Sequence, residues 1–439
     1  MSAPQEKNVP IRWKKNIAYM VVSVCLVLGA LEIMLRVLNV ETLIARPPEK
    51  FDIKRDVGDF IGFLESDLNM HSRKGGKSFY VEDAELMWRL TPGFEGKARD
   101  FFAVAVSDEP SEWTFKINFQ GFRGKDFEIE RGQGVYRVVA LGDSCTFGFG
   151  VDEGDTYPER LQSELERLCP SCMWEVLNLG VPGFSSEQGR VLAERWLPIL
   201  TPQAVIISYG TNDWWKRKFS DEEEMARLNT PFHRFRIFLR KSAIIKTGAI
   251  LLSGLRGDGT NRSTDMQERV SPERYEQNIE KIAEIAASNG AVVILLDNNF
   301  YVPYGTKALR ELAEKHESYI LIDAVEILAK ALQDPQALIN RFPISTANSI
   351  RQYRTVIKKR PMFLVMVDPV HPNAVGFQLI AEEIAKVLVE KGKVSAIVEE
   401  KRISDLSLPK IKAVGGGFLD RTALEYRAAL LNFENESPR

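Results

Sequence analysis

Short apolar runs, each ended by a glycine or a polar turn, recur through the middle of this 439-residue chain and constrain its fold more than any other feature. In the first of them, Val138 to Leu141 are followed by Gly142 and Asp143, which break the strand pattern just before Ser144. Similar runs follow at 174–180, 204–209, 291–297, 319–323 and 363–367, with helical patterns between most of them. Apolar strands that alternate with helices are typical of a mostly parallel sheet covered on both faces. We therefore predict a three-layer α/β/α sandwich with a flavodoxin-like sheet.

Helix-start signals support this alternation. Thr156 and Glu159 have capping-box spacing before a helix at 157–168, and Ser271 with Pro272 opens a helix at 272–288. Right-handed crossovers place the carboxyl ends of parallel strands at one edge of the sheet. We expect the polar residues that follow the strands to meet there.

Four short blocks follow these strands in a fixed order. They are Gly-Asp-Ser at 142–144, Gly180, Gly-Thr-Asn-Asp at 210–213 and Asp-Pro-Val-His at 368–371. With these blocks the chain resembles the SGNH (GDSL-like) hydrolase family over residues 135–391. The resemblance implies the SGNH hydrolase fold and cleavage of ester bonds through a serine nucleophile.

A serine hydroxyl needs a base within hydrogen-bond reach to become a nucleophile at neutral pH. The chain has four histidines, of which His71, His233 and His316 lie in regions with no other sign of chemistry. His371 is therefore the predicted base for Ser144. Asp368, three residues earlier, is predicted to hold the imidazole ring through its Nδ1–H.

The oxyanion of an ester intermediate needs preorganised hydrogen-bond donors. The resemblance implies the backbone N–H groups of Ser144 and Gly180 and the side-chain amide of Asn212. The residue types agree, because a glycine lets backbone approach a substrate closely and an asparagine amide is a neutral donor. Asp143 and Asp213 are expected to organise their turns.

Several other site classes are excluded by the sequence. Thr146 stands where a Gly-x-Ser-x-Gly elbow needs its second glycine, so an α/β-hydrolase assignment fails. No metal-ligand cluster, phosphate loop or dinucleotide fingerprint is present, and we expect neither a metal nor a cofactor. With a net charge of -2 and no basic tract interleaved with aromatics, the chain is not expected to bind nucleic acid.

The N-terminal region predicts a membrane segment. Residues Ile17 to Leu31 are almost wholly apolar, and the pattern extends to Leu38 if Glu32 and Arg36 lie at the membrane interface. Basic residues precede the segment, which predicts a cytoplasmic N-terminus and a catalytic part on the periplasmic or outer side of a bacterial inner membrane. An uncleaved signal anchor is the favoured interpretation, and a cleaved signal peptide is the alternative.

Two of the four cysteines are close in sequence. Cys169 and Cys172 flank a short loop, where a disulfide in an oxidising compartment and two free thiols are both compatible with the pattern. A zinc site would need a second ligand pair. Cys145, beside the predicted nucleophile, is best explained as a small buried residue.

The predicted organisation has six parts. An insertion at 214–270 interrupts the hydrolase domain, and its helical pattern suits a helix that covers the sheet, a lid or a face on the bilayer surface. The segments are a cytoplasmic N-terminus at 1–15, a transmembrane anchor at 16–38, a tether at 39–80, a small β-rich preface at 81–134, the hydrolase domain at 135–391 and a helical extension at 392–439.

The predicted function is a serine esterase that acts through an acyl-serine intermediate. Trp214 and Trp215 follow the Asn212 block, where indole rings suit either packing within the fold or stacking on a sugar. The second interpretation indicates an O-acetyl group on a carbohydrate as the substrate. The same residues suit a cell-envelope polysaccharide O-acyltransferase. A non-catalytic scaffold or sugar-binding subunit is the alternative from another class.

Overall fold

A computed structural model describes the chain at residues 11–38, 40, 51–52, 79–97, 102–103, 113–228, 230, 242–245, 247–248, 266–300, 303–342, 361–367 and 370–391. The chain divides into two compact units, one of Met1–Pro48 with Arg227–Ser263 and one of Glu49–Ala226 with Thr264–Arg439. Most of the predicted tether, most of the insertion and the whole extension at 392–439 lie outside the described residues.

The larger unit is built on a five-stranded parallel sheet, which confirms the predicted α/β fold. The strands are β7 (Val135–Gly142), β8 (Met173–Gly180), β9 (Ala204–Ser208), β12 (Val292–Asp297) and β13 (Tyr319–Asp323). They lie in the order β13-β12-β9-β7-β8, so β7, which precedes Ser144, is flanked by β8 and β9. Gly142 pairs with both Gly180 and Ser208, which brings three strand ends side by side.

Helices cover both faces of this sheet. The helices that follow β7 in the chain are α2 (Ser144–Phe147), α3 (Tyr157–Leu168), α4 (Ser186–Leu200), α5 (Asp221–Leu228), α6 (Pro272–Ser288), α7 (Pro303–Lys315), α8 (Ala324–Ala331), α9 (Pro335–Arg341) and α10 (Ala374–Lys391). On one face, side chains of α3 and α10 form a single buried cluster with alternate residues of the strands, such as Val138 and Ala140. Helices α4 and α6 pack against each other and against the sheet.

Side-chain caps fix the starts of these helices. Thr156 accepts from the Glu159 N–H before α3, and Ser271 accepts from the Arg274 N–H before α6. A complete capping box, which the sequence analysis did not single out, joins Ser185 and Gln188 at the start of α4. That helix therefore begins at a defined point directly after the Gly183 turn.

The preface forms short paired strands rather than one sheet. Strands β2 (Tyr80–Asp83) and β3 (Met87–Leu90) pair, as do β4 (Glu95–Lys97) and β6 (Thr114–Lys116), and β1 (Phe51–Asp52) pairs with β5 (Phe102–Ala103). Two-residue strands β10 (Lys216–Arg217) and β11 (Gln267–Glu268) join the two ends of the insertion. The preface strands carry a buried aromatic cluster that includes Phe79, Phe94 and Phe115.

The smaller unit contains helix α1 (Ile11–Val37). Its stretch Asn16–Val37 has a mean hydropathy of 2.3 and is, among the described residues, the one helix whose length and composition suit a membrane span. Its apolar side chains, such as Leu26 and Val27, are largely exposed. A signal sequence would pass the same test.

Candidate active site

Ser144 is the first residue of α2 and follows β7 after a single residue. Asp143 caps the helix, because its Oδ1 accepts from the Cys145 N–H at 2.9 Å. A Cβ at Gly142 would lie 2.0 Å from the Thr146 hydroxyl and 2.7 Å from the Ser208 carbonyl oxygen. Only glycine permits so tight a passage from strand to helix, and the turn carries Ser144 to the carboxyl end of the central strand.

The structure brings His371 to this serine. Its Nε2 lies 2.8 Å from Ser144 Oγ, although the two residues are 227 positions apart. The ring is buried against Phe149, with ring centroids 4.6 Å apart, and the His371 carbonyl accepts from the Val367 N–H at 2.8 Å. Asp368 lies outside the described residues, so its predicted role stays a prediction.

Asn212 is held beside the serine turn. Its Nδ2 donates to Asp143 Oδ2 at 3.1 Å and to the Phe184 carbonyl at 3.0 Å. Asp143 therefore connects the turn that carries Ser144 with the amide predicted to bind an oxyanion. Burial raises the pKa of Asp143 to about 6, while the nearby His371 acts to lower it.

Gly180, a predicted oxyanion donor, has an internal partner. Its N–H donates to Asn178 Oδ1 at 3.0 Å, and a Cβ there would lie 2.2 Å from the Phe147 nitrogen. The glycine thus allows α2 to pack on the end of β8. Close packing is a sufficient reason for a glycine at this position.

Gly183 presents a different geometry three residues later. It has a φ of +83°, and its carbonyl accepts from Arg269 Nη1 at 2.8 Å. Among the residues that the structure describes, the N–H groups of Gly183 and Ser144 have no hydrogen-bond acceptor. Gly183 also precedes Phe184, whose carbonyl holds Asn212. Sequence reasoning did not single out Gly183, although its place in a Val-Pro-Gly turn after β8 was a usable signal.

A protein-family comparison identifies the chain. The model of the GDSL-like lipase/acylhydrolase family matches residues 140–379, which contain Ser144, Asn212 and His371. This chain belongs to that family. It is accordingly a GDSL-like hydrolase, an enzyme that acts on ester bonds.

Solved structures similar to this GDSL-like hydrolase include three esterase or lipolytic proteins. EstA from Pseudoalteromonas sp. is 13% identical, with 58% of this chain and 97% of that chain covered and a TM-score of 0.32. A G-D-S-L lipolytic protein from Desulfitobacterium hafniense is 18% identical, with 57% and 99% covered and a TM-score of 0.31. The acetyl-xylooligosaccharide esterase Axe2 from Geobacillus is 16% identical, with 57% and 92% covered and a TM-score of 0.32. A comparison with curated protein sequences gave no match.

A buried polar network contacts the Gly183 turn of the GDSL-like hydrolase. Arg269 Nη2 donates to Asp221 Oδ2 at 2.7 Å and to Gln188 Oε1 at 2.8 Å, and all three side chains are buried. Because Arg269 also binds the Gly183 carbonyl, the two ends of the insertion fix the Gly183 turn. No sequence pattern indicated the Arg269–Asp221 pair, whose members are 48 residues apart.

Asp213 joins the Asn212 turn to α4. Its carboxylate accepts from the Ser186 N–H at 3.0 Å and from the Ser186 hydroxyl. Asn278 on α6 donates to the same hydroxyl at 3.1 Å. Burial raises the pKa of Asp213 to about 8, against the lowering effect of these hydrogen bonds. Asp213 was expected to organise its turn, and these contacts are of the kind that such a residue makes.

Arg123 supports the loop that follows the serine. Its buried guanidinium donates to the carbonyls of Phe147 at 3.1 Å, Gly148 at 2.6 Å and Val151 at 2.7 Å. The same loop carries Phe149, which packs on His371. Sequence analysis found the turn that ends at Arg123 and did not foresee this contact.

The remaining predicted residues lie as follows. Trp214 is 37% exposed and its ring centroid is 6.5 Å from that of Trp215, directly after the Asn212 turn. His316 stacks on Tyr319 at a centroid distance of 4.6 Å, at the start of edge strand β13. His71 and His233 lie outside the described residues. In the described part of the chain, no cluster of three or more metal-ligating side chains occurs.

Cys169 and Cys172 form a disulfide bond, which resolves the choice between the two thiol states left open by the sequence. The bond closes the short loop between α3 and β8, and Cys169 is buried. Cys145 is a buried thiol outside the disulfide, and its Sγ lies 3.5 Å from the Val370 carbonyl oxygen.

Proposed function

We propose that this GDSL-like hydrolase is a serine esterase with Ser144 as nucleophile, His371 as general base and Asp368 as the residue that orients the imidazole. The observation that carries the proposal is the 2.8 Å contact between Ser144 Oγ and His371 Nε2. This is the distance at which a base takes the serine proton. Few structural roles would need a serine at a strand tip to meet a histidine from the far end of the domain.

The proposed reaction has two halves. Ser144 Oγ attacks the ester carbonyl carbon and its proton passes to His371 Nε2. The tetrahedral intermediate collapses as the imidazolium gives that proton to the departing alcohol oxygen, which leaves an acyl-serine. Water then attacks the acyl carbon, His371 takes its proton, and the proton returns to Ser144 Oγ as the carboxylic acid is released.

The oxyanion is proposed to bind the Asn212 amide and the backbone N–H groups of Ser144 and Gly183. Gly180 was the glycine expected from the family resemblance, but its N–H already donates to Asn178. The Gly183 N–H has no such acceptor among the described residues. Both N–H groups of the Asn212 amide donate at present, to Asp143 and to the Phe184 carbonyl, so the amide would have to rotate as a whole to donate to an oxyanion.

Fluorophosphonate labelling tests the nucleophile. The full-length protein, solubilised in detergent, should react with the probe, and Ser144→Ala should abolish labelling. Cys145→Ala is the matched control, because Cys145 is the adjacent residue and carries the thiol of α2. Labelling that survives Ser144→Ala would overturn the assignment, whereas loss of labelling only in Cys145→Ala would move it to the thiol.

The favoured substrate is an O-acyl group on a carbohydrate. Trp214 follows Asn212 by two residues in sequence, and its partly exposed indole offers an apolar face on which a sugar ring could stack. Trp214→Ala should raise KM for an acetylated oligosaccharide and leave KM for p-nitrophenyl acetate unchanged. Equal effects on both esters would count against a sugar-stacking role.

Acyl transfer is the second candidate, because an acceptor hydroxyl can replace water in the second half of the reaction. Incubation with an acetyl donor and an oligosaccharide acceptor together distinguishes the two. Hydrolysis alone in the presence of acceptor would exclude transfer under those conditions. A non-catalytic scaffold would show neither product and no probe labelling.

The proposed location is the bacterial inner membrane, with residues 16–38 as anchor and the catalytic unit outside the cytoplasm. The apolar helix α1 and the basic residues before it support this orientation. The Cys169–Cys172 bond supports an oxidising compartment. A cysteine-accessibility assay with a membrane-impermeant maleimide on intact cells, using a cysteine placed at exposed Met173, would check it.

A further inference from the structure

Helix α1 carries a single acidic side chain, Glu32, five residues before its last residue Val37. At 1.5 Å per residue, this places the carboxylate about 7 Å inside the end of the helix. A charged group at that depth in a membrane-spanning helix is costly unless polar groups surround it. An acidic residue there therefore calls for partners.

The partners come from the insertion. Glu32 Oε1 accepts from the Ala243 N–H at 2.8 Å, and Oε2 accepts from the Ser242 hydroxyl at 2.8 Å and the Ile244 N–H at 3.0 Å. Arg36, on the same helix, adds a fourth donor at 2.7 Å. Two consecutive backbone N–H groups that point at a carboxylate form the usual cap of a helix start.

The same face of α1 is the covered one. Leu31, Glu32 and Leu35 are partly buried, whereas their neighbours Ile33 and Met34 are 64% and 48% exposed. Residues three and four positions apart lie on one side of a helix, as Glu32 and Leu35 do and as Leu31 and Leu35 do, so the contact is a defined stripe. Met1–Pro48 and Arg227–Ser263 also fall together in one compact unit.

We infer that α1 is a permanent part of the folded protein, which binds the insertion at residues 242–244 through the Glu32 carboxylate. A cleaved signal sequence would take this carboxylate away and leave these residues without their cap. The hydrolase is thereby attached to its anchor twice, through residues 41–50 and through the insertion. The inference rests on the proposed membrane location and is independent of the proposed chemistry.

Cleavage of the first attachment tests the second. A site for a sequence-specific protease is inserted after Pro48 of the full-length protein, which also carries an affinity tag at its N-terminus. After cleavage in detergent, the fragment from residue 49 onward should still elute with the tagged anchor. Elution of the two fragments apart would overturn the inference, as would purification of a mature protein that has lost the N-terminal tag in its host.

Glu32→Leu and Met34→Leu provide a matched pair. Both place a leucine on the same turn of α1, but only the first removes the carboxylate. Glu32→Leu should lower the co-eluting fraction about tenfold or more, because it leaves the Ser242 to Ile244 donors unpaired. Met34→Leu should co-elute like the wild type.

Equal co-elution of both variants would show that apolar contact alone holds the fragments, and would overturn the role of Glu32. Hydrolysis of a soluble ester by each variant checks that the catalytic unit is folded, since Glu32 and Met34 belong to the other unit. A protein without esterase activity would still give an interpretable co-elution result. The two proposals therefore fail separately.

Discussion

At the scale of single residues, the site depends on a few side chains that bind backbone groups. Asp143 shows this, because one of its oxygens caps α2 and the other receives the Asn212 amide. The serine, the cap and the proposed oxyanion donor are thus coupled through one carboxylate. A substitution of Asp143 would change both the proposed reaction and the structure of the serine turn. Conservative substitutions at the surrounding residues are therefore more informative.

Asn212→Ala should lower kcat for a soluble ester about a hundred- to a thousandfold with little change in KM, because the amide is proposed to bind charge that develops in the transition state. Steady-state kinetics of the purified protein give this value. Asn178→Ala is the comparison, since it removes the partner of the Gly180 N–H and leaves Asn212 intact. An increase in KM with kcat unchanged for Asn212→Ala would contradict the proposed role of the amide in binding the oxyanion.

Asp213→Asn should change how stability depends on pH. The carboxyl has an ordinary pKa of 3.8 and burial raises it to about 8, so the folded protein keeps a proton that the unfolded chain releases between these values. This contribution to stability is complete below pH 4 and is lost as pH rises through about 8. Asparagine cannot titrate.

The measurement is the thermal midpoint of both proteins from pH 5 to pH 9. The wild type should lose stability relative to Asp213→Asn as pH increases across this window. Parallel curves would show that Asp213 is already ionised at pH 5 in the folded protein. In that case the hydrogen bonds from Ser186 outweigh the desolvation of the carboxylate.

At the scale of elements, the preface packs against the helix that carries Ser144. Phe115 of β6 packs on Phe147 of α2 at a ring-centroid distance of 5.9 Å. Arg123 binds three carbonyls of the loop that begins at Phe147. Helix α2 thus contacts β8 and also residues that precede the predicted hydrolase domain in sequence.

Arg123→Met should lower kcat about tenfold with KM nearly unchanged, because three buried carbonyls lose their donor and the Phe149 loop that packs on His371 loosens. Arg131→Met is the matched control, since Arg131 lies in the same segment and donates to the Val135 carbonyl at 2.7 Å, away from α2. Arg123→Lys should recover little, because an ammonium cannot reproduce the planar fork.

The readout is the rate of fluorophosphonate labelling per folded molecule, with thermal unfolding measured in parallel. A merely structural role would lower the midpoint and leave the labelling rate of the folded fraction unchanged. That outcome would contradict the proposal that Arg123 positions the Phe149 loop against His371. A slower rate in the folded fraction would support it.

At the scale of the whole molecule, the proposed chemistry resides in one unit. Removal of Met1–Pro48 should leave kcat/KM for a short soluble ester unchanged, because Ser144, Asn212 and His371 all lie in the unit of Glu49–Ala226 with Thr264–Arg439. The shortened protein should need detergent to remain monomeric in size-exclusion chromatography. Loss of turnover in a folded, shortened protein would contradict this division.

The sequence predicted the five strands of the parallel sheet and the meeting of Ser144 with His371, since apolar runs and turn residues report local strand ends directly. The apolar run at 363–367 is not a further strand, because the chain forms a 3-10 helix at Pro361–Leu364. The sequence did not predict Arg123 or the Arg269–Asp221 pair. A guanidinium that binds carbonyls leaves no periodic pattern, and a pair 48 residues apart is set by the path of the insertion. Choosing between Gly180 and Gly183 required knowing which N–H group already had an acceptor.

The wide separation of the serine and histidine also has a consequence for synthesis. A chain that is synthesised from its N-terminus onward can assemble β7 to β13 while the residues after Asp323 are still unmade. The 2.8 Å contact between Ser144 and His371 forms only when α10 can dock. Products that terminate before His371 therefore contain the Ser144 hydroxyl without its proposed base. Esterase activity should accordingly appear only late in the synthesis of the chain.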